Sequence, residues 1–451
     1  MAGVVDDDPT PIESRDQLLA YFQEGATPRE DRGVGTEHEK FVFLRRECGL
    51  VTHGGAEGIE TIFERLAEQY DWEPIWEGDI MIGMTRGDAA ISLEPGGQFE
   101  LSGGIKKTVH GTSDELDEHL RELEDVAGDD VKMVSWGMNP FVDPEDVPMM
   151  PKQRYDIMRA YLPARGKLAP WMMKTTCTIQ ANFDYMSESD ATDLMQTALL
   201  VSPIVSAIFA NSPIRDGEVT GMQSDRGYIW TETDPDRTGW PDFMYRDDWG
   251  YGDYLDFLLD IPMFFIEREG RLIPKTGQTF RDYLNGGSGR YEPTMADFKL
   301  HLSTAFPEIR LKQYVEVRGA DGGPAEQILG LPALWKGILY DDSARKRARD
   351  LLDGIDPDDH RQLFHDVYRD GFQAEGPDGT VGELADELIE ISADGLRSLA
   401  DEQNLDVDET GYLRPLRQIV TSRRTLADEL RDMFLETGGD CERIVDEWAF
   451  F

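Results

Sequence analysis

Glu37 and Glu39 stand two residues apart in "GTEHEKFVFL" (residues 35–44), a segment otherwise rich in aromatic and branched side chains. Side chains alternate along a strand with a period of two, so both carboxylates face the same side of it. Two acids held together repel, and burial among apolar neighbours makes this worse, so the pattern calls for a compensating cation. The segment "SLEPGGQFELSGG" (92–104) adds Glu94, Gln98 and Glu100, the last two again sharing a face. Asn182 in "TTCTIQANFD" and Glu316 in "QYVEVRG" complete a set of oxygen donors from four separate strands. No His or Cys cluster has zinc spacing, and oxygen-only ligation points to Mg2+, with Mn2+ as the alternative. A lone Glu-X-Glu is usually a solvated strand face. Acid-bearing strands that recur beside glycine-rich turns argue against that reading here. His38, between the two acids, faces the other way and reads as a structural hydrogen bonder.

These residues need strands to hold them and helices to cover the strands. Residues 89–103 read as two strands about the turn Pro95-Gly96-Gly97. In "TTCTIQANFD", Thr176, Thr178, Gln180 and Asn182 share a polar face, and Cys177, Ile179, Ala181 and Phe183 an apolar one. In "QYVEVRG", Tyr314, Glu316 and Arg318 oppose Val315 and Val317. That parity puts Arg318 beside Glu316, where a structural salt bridge competes with a role in chemistry. Apolar residues at helical spacing mark helices within 14–25, 58–72 and 112–127, and from about residue 325 onward the pattern is helical. Residues 245–257, "YRDDWGYGDYLDF", are the most loop-like stretch. Strands followed by helices without regular βαβ alternation predict an α+β fold with a largely antiparallel sheet. The division expected is a catalytic core over 1–324 and a helical region over 325–451 packed on it as part of one structural unit.

Composition narrows the function classes. The 451 residues hold 89 Asp plus Glu against 45 Lys plus Arg, a formal charge of −44, spread along the whole chain. Such a field repels phosphate backbones and anionic membranes, so neither nucleic acid nor lipid is an expected partner. It also suits a salt-rich, halophilic setting in which ions screen the self-repulsion. Cys48, Cys177 and Cys441 are far apart and odd in number, which predicts no disulfide framework and a reducing compartment. Cys177, on the apolar face of its strand, reads as a buried structural residue. The N-terminal stretch lacks the basic and apolar regions of a signal peptide, and no run of eighteen apolar residues occurs, so a cytoplasmic location is expected.

Seven blocks in the same order over nearly the whole chain resemble the glutamate-cysteine ligases of the plant and proteobacterial type, relatives of glutamine synthetase. They are "GTEHEKF", "SLEPGGQFELSGG", "MPKQRYDIMRAYLP", "MMKTTCTIQANFD", "IWTETDPDRTG", "HLSTAFPEIRLKQYVEVRGADGGP" and "LRPLRQIV". The resemblance implies a glutamine-synthetase-like funnel of antiparallel strands surrounded by helices. It implies ATP-dependent joining of the glutamate γ-carboxylate to the amine of cysteine through γ-glutamyl phosphate, in a monomer or homodimer. It places Glu37, Glu39, Glu94, Gln98, Glu100, Asn182 and Glu316 at the metal or phosphate cluster, with Glu37, Glu39, Glu100 and Arg318 catalytic. Arg226 and Arg237 become candidates for the glutamate α-carboxylate, Trp230 for a pocket wall, and Arg154, Thr176 and Thr178 for substrate contacts. Lys40 and Arg318 become candidates for nucleotide phosphates. "GADGGP" (319–324) lacks Walker spacing and reads as the tight turn ending an active-site strand. An alternative keeps the chemistry and changes the amine acceptor; a second is an acidic binding protein that has lost catalysis.

Overall fold

In the computed structural model, residues 8–45, 48–55, 58–286 and 290–451 are described. The N-terminal reading above falls partly on residues 1–7, outside that range. Ten strands form the main sheet: β1 Val34–Leu44, β2 Gly49–Leu50, β3 Glu73–Glu77, β4 Ile80–Arg86, β5 Ala89–Leu93, β6 Phe99–Ser102, β7 Val131–Val134, β8 Thr178–Phe183, β9 Ile309–Leu311 and β10 Val315–Asp321. Their order is β9-β10-β8-β1-β6-β5-β4-β3, with β2 and β7 pairing to β1. Every pairing in it is antiparallel, as the alternating sequences predict.

β1 is the central strand because its eleven residues can serve two neighbourhoods. Its first half, with Glu37 and Glu39, lies between β8 and β6, while its second half, Phe41 to Leu44, pairs with β7. The β5–β6 hairpin turns at Pro95-Gly96-Gly97. A Cβ on Gly96 would come within 2.2 Å of the Lys174 carbonyl oxygen, so only glycine allows this turn to press against the end of the helix Ala169–Thr175.

The principal helices are α1 Arg15–Glu24, α2 Ile59–Gln69, α3 Val109–Ala127, α4 Glu188–Ile208, α5 Asp225–Thr231, α6 Tyr251–Asp260, α7 Ala325–Tyr340, α8 Pro357–Asp370, α9 Val381–Gln403, α10 Leu426–Thr437 and α11 Cys441–Trp448. Ile179, Ala181 and Phe183 on β8 enter the largest apolar core together with Ile328, Leu331, Leu334 and Trp335 of α7. That core takes side chains from strands before residue 324 and helices after it. Polar residues of β8 are thereby turned to the opposite face. α4 is long and apolar enough to cross a membrane, yet 89% of its apolar window is buried inside the fold, the pattern of a core helix.

Two expectations are corrected. Residues 251–260, read as loop, are α6: Tyr251, Tyr254, Leu255 and Leu258 recur at helical spacing and are buried. Asp and Gly around them masked that period. Cys48 and Cys441, read as unpaired, form a disulfide across 393 residues of sequence, with Cα atoms 6.1 Å apart. It ties the turn after β1 to α11, whose Ile444 and Val445 pack with Phe41, Phe43 and Trp136. Distance in sequence hid a pair that the packing of α11 brings together. Cys177 is the free cysteine and is buried, as its strand parity predicts.

Candidate active site

Strand register assembles the acids. Glu39 on β1 lies directly opposite Glu100 on β6, and Glu37 lies opposite Ser102 on one side and Gln180 on the other. Ser92 on β5 faces Glu100, and Asn182 on β8 faces Glu316 on β10. Glu37, Glu39 and Glu100 are only 7%, 9% and 3% exposed. The groups bonded to them are neutral. Ser92 and Ser102 hydroxyls donate to Glu100 at 2.9 and 3.0 Å, the Thr178 backbone N–H donates to Glu39 at 3.0 Å, and Asn182 Nδ2 donates to Glu37 at 3.0 Å. Asn182 Oδ1 is left buried without a partner.

Like charges directly opposite across a sheet destabilise it, and ionised carboxylates out of water cost several kcal/mol each, roughly. Burial pushes Glu39 well above its ordinary value, and Glu94 and Glu100 push it further. Burial also raises Glu37, with Glu316 and Glu100 adding to it, and raises Glu100, with Glu94 adding against the two serines. Acidic oxygens without a cation, beside an unpartnered amide oxygen, are a donor set suited to a hard divalent ion. Among the described residues, no three acid, His or Cys side chains already converge tightly enough to hold an ion. Rotation of these side chains on a fixed strand frame would have to complete the site.

A carboxyl whose folded pKa lies above its ordinary 4.5 binds more protons in the native than in the unfolded state. Its burden on stability is absent below that value and grows as pH rises through the raised one. A divalent cation stabilises the ionised form, so the rise in melting temperature on adding Mg2+ should increase as pH is raised above the ordinary carboxylate range. Thermal melts with and without Mg2+ across that rise in pH measure it; an increment independent of pH would remove these acids from any metal site.

Cations collect at the other end of the same face. Glu316 is fully buried. Arg310 grips both of its oxygens, Nη2 to Oε1 at 2.8 Å and Nε to Oε2, while Arg318 Nη1 reaches Oε2 at 2.9 Å and Lys312 lies 3.6 Å away. Burial opposes ionisation, but Arg310, Lys312 and Arg318 outweigh it and hold this carboxylate well below the usual range. Arg318 also donates to Gln180. Glu316 is thus an anchor for three basic side chains, and any metal it took would have to share it with them. Glu94 is half-buried at the turn after β5 and acts on Glu39 and Glu100 through its charge.

Several sequence-based roles are redirected by the contacts. Gln98 accepts from the Gly96 N–H at 2.9 Å and donates to the carbonyls of Met173 and Thr176, so its amide clamps the turn. Lys40 points away from the acids: its ammonium lies between His38 Nδ1 (2.9 Å) and His119 Nε2 (3.2 Å), fully buried, and burial lowers its pKa to about 7. Strand parity therefore removes Lys40 from nucleotide phosphates. Arg237, expected at a substrate carboxylate, is fully buried; it pairs with Asp234, donates to the carbonyls of Thr304 and Pro262, and stacks 3.9 Å from the Phe264 ring centre. Thr176 and Thr178 donate their hydroxyls to the carbonyls of Met172 and Ala320. Arg154 sits over Phe265 at 5.9 Å with its Nε buried and unpartnered.

Arg226 and Trp230 do come together with Arg318. They lie on α5, whose Ser224 cap accepts from Gly227 N–H. Arg226 donates to the carbonyls of Gly319 and Arg318 at 3.3 and 3.1 Å, at the bulge that interrupts β10. Asp321 supports this corner: it accepts from Asn211 N–H, Ser212 Oγ and Ser224 Oγ at 2.8, 2.7 and 2.9 Å, while Ser212 Oγ accepts from the Arg226 N–H. Sequence reasoning missed Arg310, Lys312, Asp321 and Lys152, whose ammonium donates to the Leu93 carbonyl at 2.8 Å beside Glu94. Register and burial alone reveal them.

One sheet face thus carries buried acids at one end and buried guanidinium groups at the other. Residues 33–447 match the model of glutamate-cysteine ligase family 2. The chloroplastic glutamate-cysteine ligase of Medicago truncatula is 40% identical over 438 residues, covering 96% of this chain and 84% of the relative. The chloroplastic enzyme of Arabidopsis thaliana is 39% identical over 443 residues, covering 97% and 83%. Among solved structures, the glutamate-cysteine ligase of Francisella tularensis in complex with AMP aligns with a TM-score of 0.57 at 13% identity, over 92% of this chain and 87% of that one. This last likeness is one of fold. The chain belongs to glutamate-cysteine ligase family 2. The relatives overturn one expectation: they are named as chloroplast proteins, so the cytoplasmic assignment is withdrawn. It had rested on a cysteine count, an N-terminal stretch without signal-peptide features and the lack of a long apolar run, none of which separates a cytoplasmic from a plastid protein.

Proposed function

We propose that this protein is an ATP-dependent glutamate-cysteine ligase, with its reacting groups held between the acids of β1 and β6 and the guanidinium of Arg318. The observation that carries the reading is the row of buried, mutually repelling carboxylates Glu37, Glu39 and Glu100, in a chain that matches the family over residues 33–447. In the reaction the glutamate γ-carboxylate takes the terminal phosphoryl group of ATP, releasing ADP. The cysteine amine then displaces phosphate to form the amide, and a proton is lost.

Glu37, Glu39 and Glu100 would hold Mg2+, with Glu94 at the rim and Asn182 Oδ1 as a neutral donor. Bound there, the ion supplies charge neutralisation for the phosphate oxygens. Glu316 holds Arg318 by a charge-assisted hydrogen bond, so that the guanidinium is positioned before substrate arrives and loses little freedom on binding. Arg318 then faces the phosphoryl group in transfer. Arg226 binds a substrate carboxylate through the guanidinium edge that its backbone contacts leave free. The sheet itself excludes water from one side, which strengthens each of these interactions. The net charge of −44 accords with activity that needs salt.

The test is phosphate release from Mg2+ and ATP with glutamate alone and then with cysteine, at low and at molar salt, with the product mass determined. Cysteine-stimulated turnover giving γ-glutamylcysteine is expected, faster in salt. Glutamate-dependent release that other amines stimulate and cysteine does not would reassign the acceptor. No glutamate-dependent release at any salt concentration would end the ligase reading.

A further inference from the structure

The acid row ends at Glu94, which is held differently from its neighbours. Glu37, Glu39 and Glu100 each accept a hydrogen bond from a side chain or backbone N–H of the sheet. Among the described residues, the Glu94 carboxylate takes part in no hydrogen bond and no ion pair. Its charge nevertheless bears on Glu39 and Glu100. The backbone of the turn after β5 therefore sets its direction.

That backbone is clasped from outside the sheet. The β4–β5 ladder ends with Gly83 opposite Ser92, one residue short of Leu93. A buried carbonyl left without a donor costs about 1–3 kcal/mol. At Leu93 two side chains supply donors: Lys152 Nζ at 2.8 Å and the Tyr155 hydroxyl. Both residues are buried, and the ammonium lies 5.5 Å from the Tyr155 ring centre. The Met150 N–H donates to the Pro95 carbonyl at 2.9 Å, so one segment, 150–155, grips the chain on both sides of Glu94. This segment is itself fixed, since the Gln153 N–H at the start of the helix Gln153–Tyr161 donates to Glu77 Oε2 on β3 at 2.8 Å. Burial lowers the Lys152 ammonium to about 8, and Glu94 is the acid that most opposes the drop, which sets the two charges near each other.

We infer that Lys152, with Tyr155, is a positioning residue for the metal end of the acid row: by holding the Leu93 carbonyl it aims the Glu94 carboxylate at the ion shared with Glu39 and Glu100. Groups that orient a ligand from behind are worth about 10- to 100-fold in metal affinity, because a ligand already aimed loses little freedom on binding. The inference rests on the metal reading above and adds the part that keeps Glu94 in place.

The experiment titrates Mn2+ into the full chain and reads the free ion by electron paramagnetic resonance. Losing a cation beside the acids would by itself tighten Mn2+ binding, whereas losing the aim of Glu94 weakens it, so the sign decides. Lys152→Met should weaken Mn2+ by about 10-fold and raise the KM for Mg2+ in turnover, with the KM for glutamate within about twofold of the wild type. Tyr155→Phe removes one hydroxyl and no charge; it should weaken Mn2+ by about threefold, and it serves if Lys152→Met fails to fold. Lys152→Arg should recover part of the loss. In a Glu94→Gln chain, Lys152→Met should not weaken Mn2+ further, because no carboxylate is left to aim. Tighter or unchanged binding in Lys152→Met and Tyr155→Phe, or the same loss with Glu94→Gln present, would overturn the assignment, and wild-type turnover with cysteine would keep the ligase reading in that event. The expected Mn2+ pattern in a chain without glutamate-dependent phosphate release would uphold the assignment and end the ligase reading alone.

Discussion

Glu39→Gln is expected to lower Mg2+- and ATP-dependent turnover on the order of a thousandfold while raising the melting temperature of the metal-free protein by a few degrees, roughly. The two effects have one cause. Glu39 is buried opposite Glu100, bonded only by a backbone N–H, and pushed toward its neutral form first by desolvation and then by Glu94 and Glu100. Removing its charge removes both the repulsion that burdens the empty site and the ligand that an ion would use. The stabilising effect of Mg2+ should shrink in the variant as well. Activity assays and melts with and without Mg2+ check all three. A residue serving only the fold would lose stability together with activity, and that pattern would sink the metal assignment. Glu37→Gln should behave alike but more weakly in stability, because Asn182 already donates to Glu37.

Arg310→Met carries the second large effect, on stability. Arg310 binds both oxygens of Glu316, and neither partner sees solvent appreciably. Breaking a buried pair leaves its other half uncompensated and costs about 3–5 kcal/mol. Lys312 and Arg318 remain near Glu316, so the loss should fall toward the lower end of that range. The double variant Arg310→Met, Glu316→Leu should recover only part of the stability, since it removes the unpaired carboxylate but also takes from Lys312 and Arg318 the acid they share. Its turnover should stay low, because Arg318 would lose the carboxylate that positions it. Denaturant midpoints and turnover of the single and double variants separate the two quantities; an Arg310→Met variant within about 1 kcal/mol of the wild type would show that Glu316 does not depend on Arg310.

The chloroplastic names of the relatives and the Cys48–Cys441 disulfide both bear on expectations that had the weakest physical basis. A compartment was inferred from three cysteines, an N-terminal stretch without signal-peptide features and the lack of a long apolar run, and pairing was discounted because the cysteines are far apart and odd in number. Neither inference had a force behind it, whereas the strand-face readings did.

What the sequence by itself determined is the content of each local face. Period-two alternation placed Glu37 with Glu39, Gln180 with Asn182 and Glu316 with Arg318, and sent Cys177 and His38 to the opposite sides, because a strand leaves no other choice. The antiparallel α+β character followed from strands preceding helices. Tertiary structure alone decided which faces meet. Register set Glu39 against Glu100 and Arg310 against Glu316, and a one-residue slip in either pairing would have separated them. It also decided that Gln98, Arg237, Thr176 and Thr178 spend their hydrogen-bonding groups on the backbone and a neighbouring acid, and that His119 meets Lys40, which parity had already sent to the side of His38. Those outcomes depend on what is packed against a side chain, and no spacing rule along the chain encodes that.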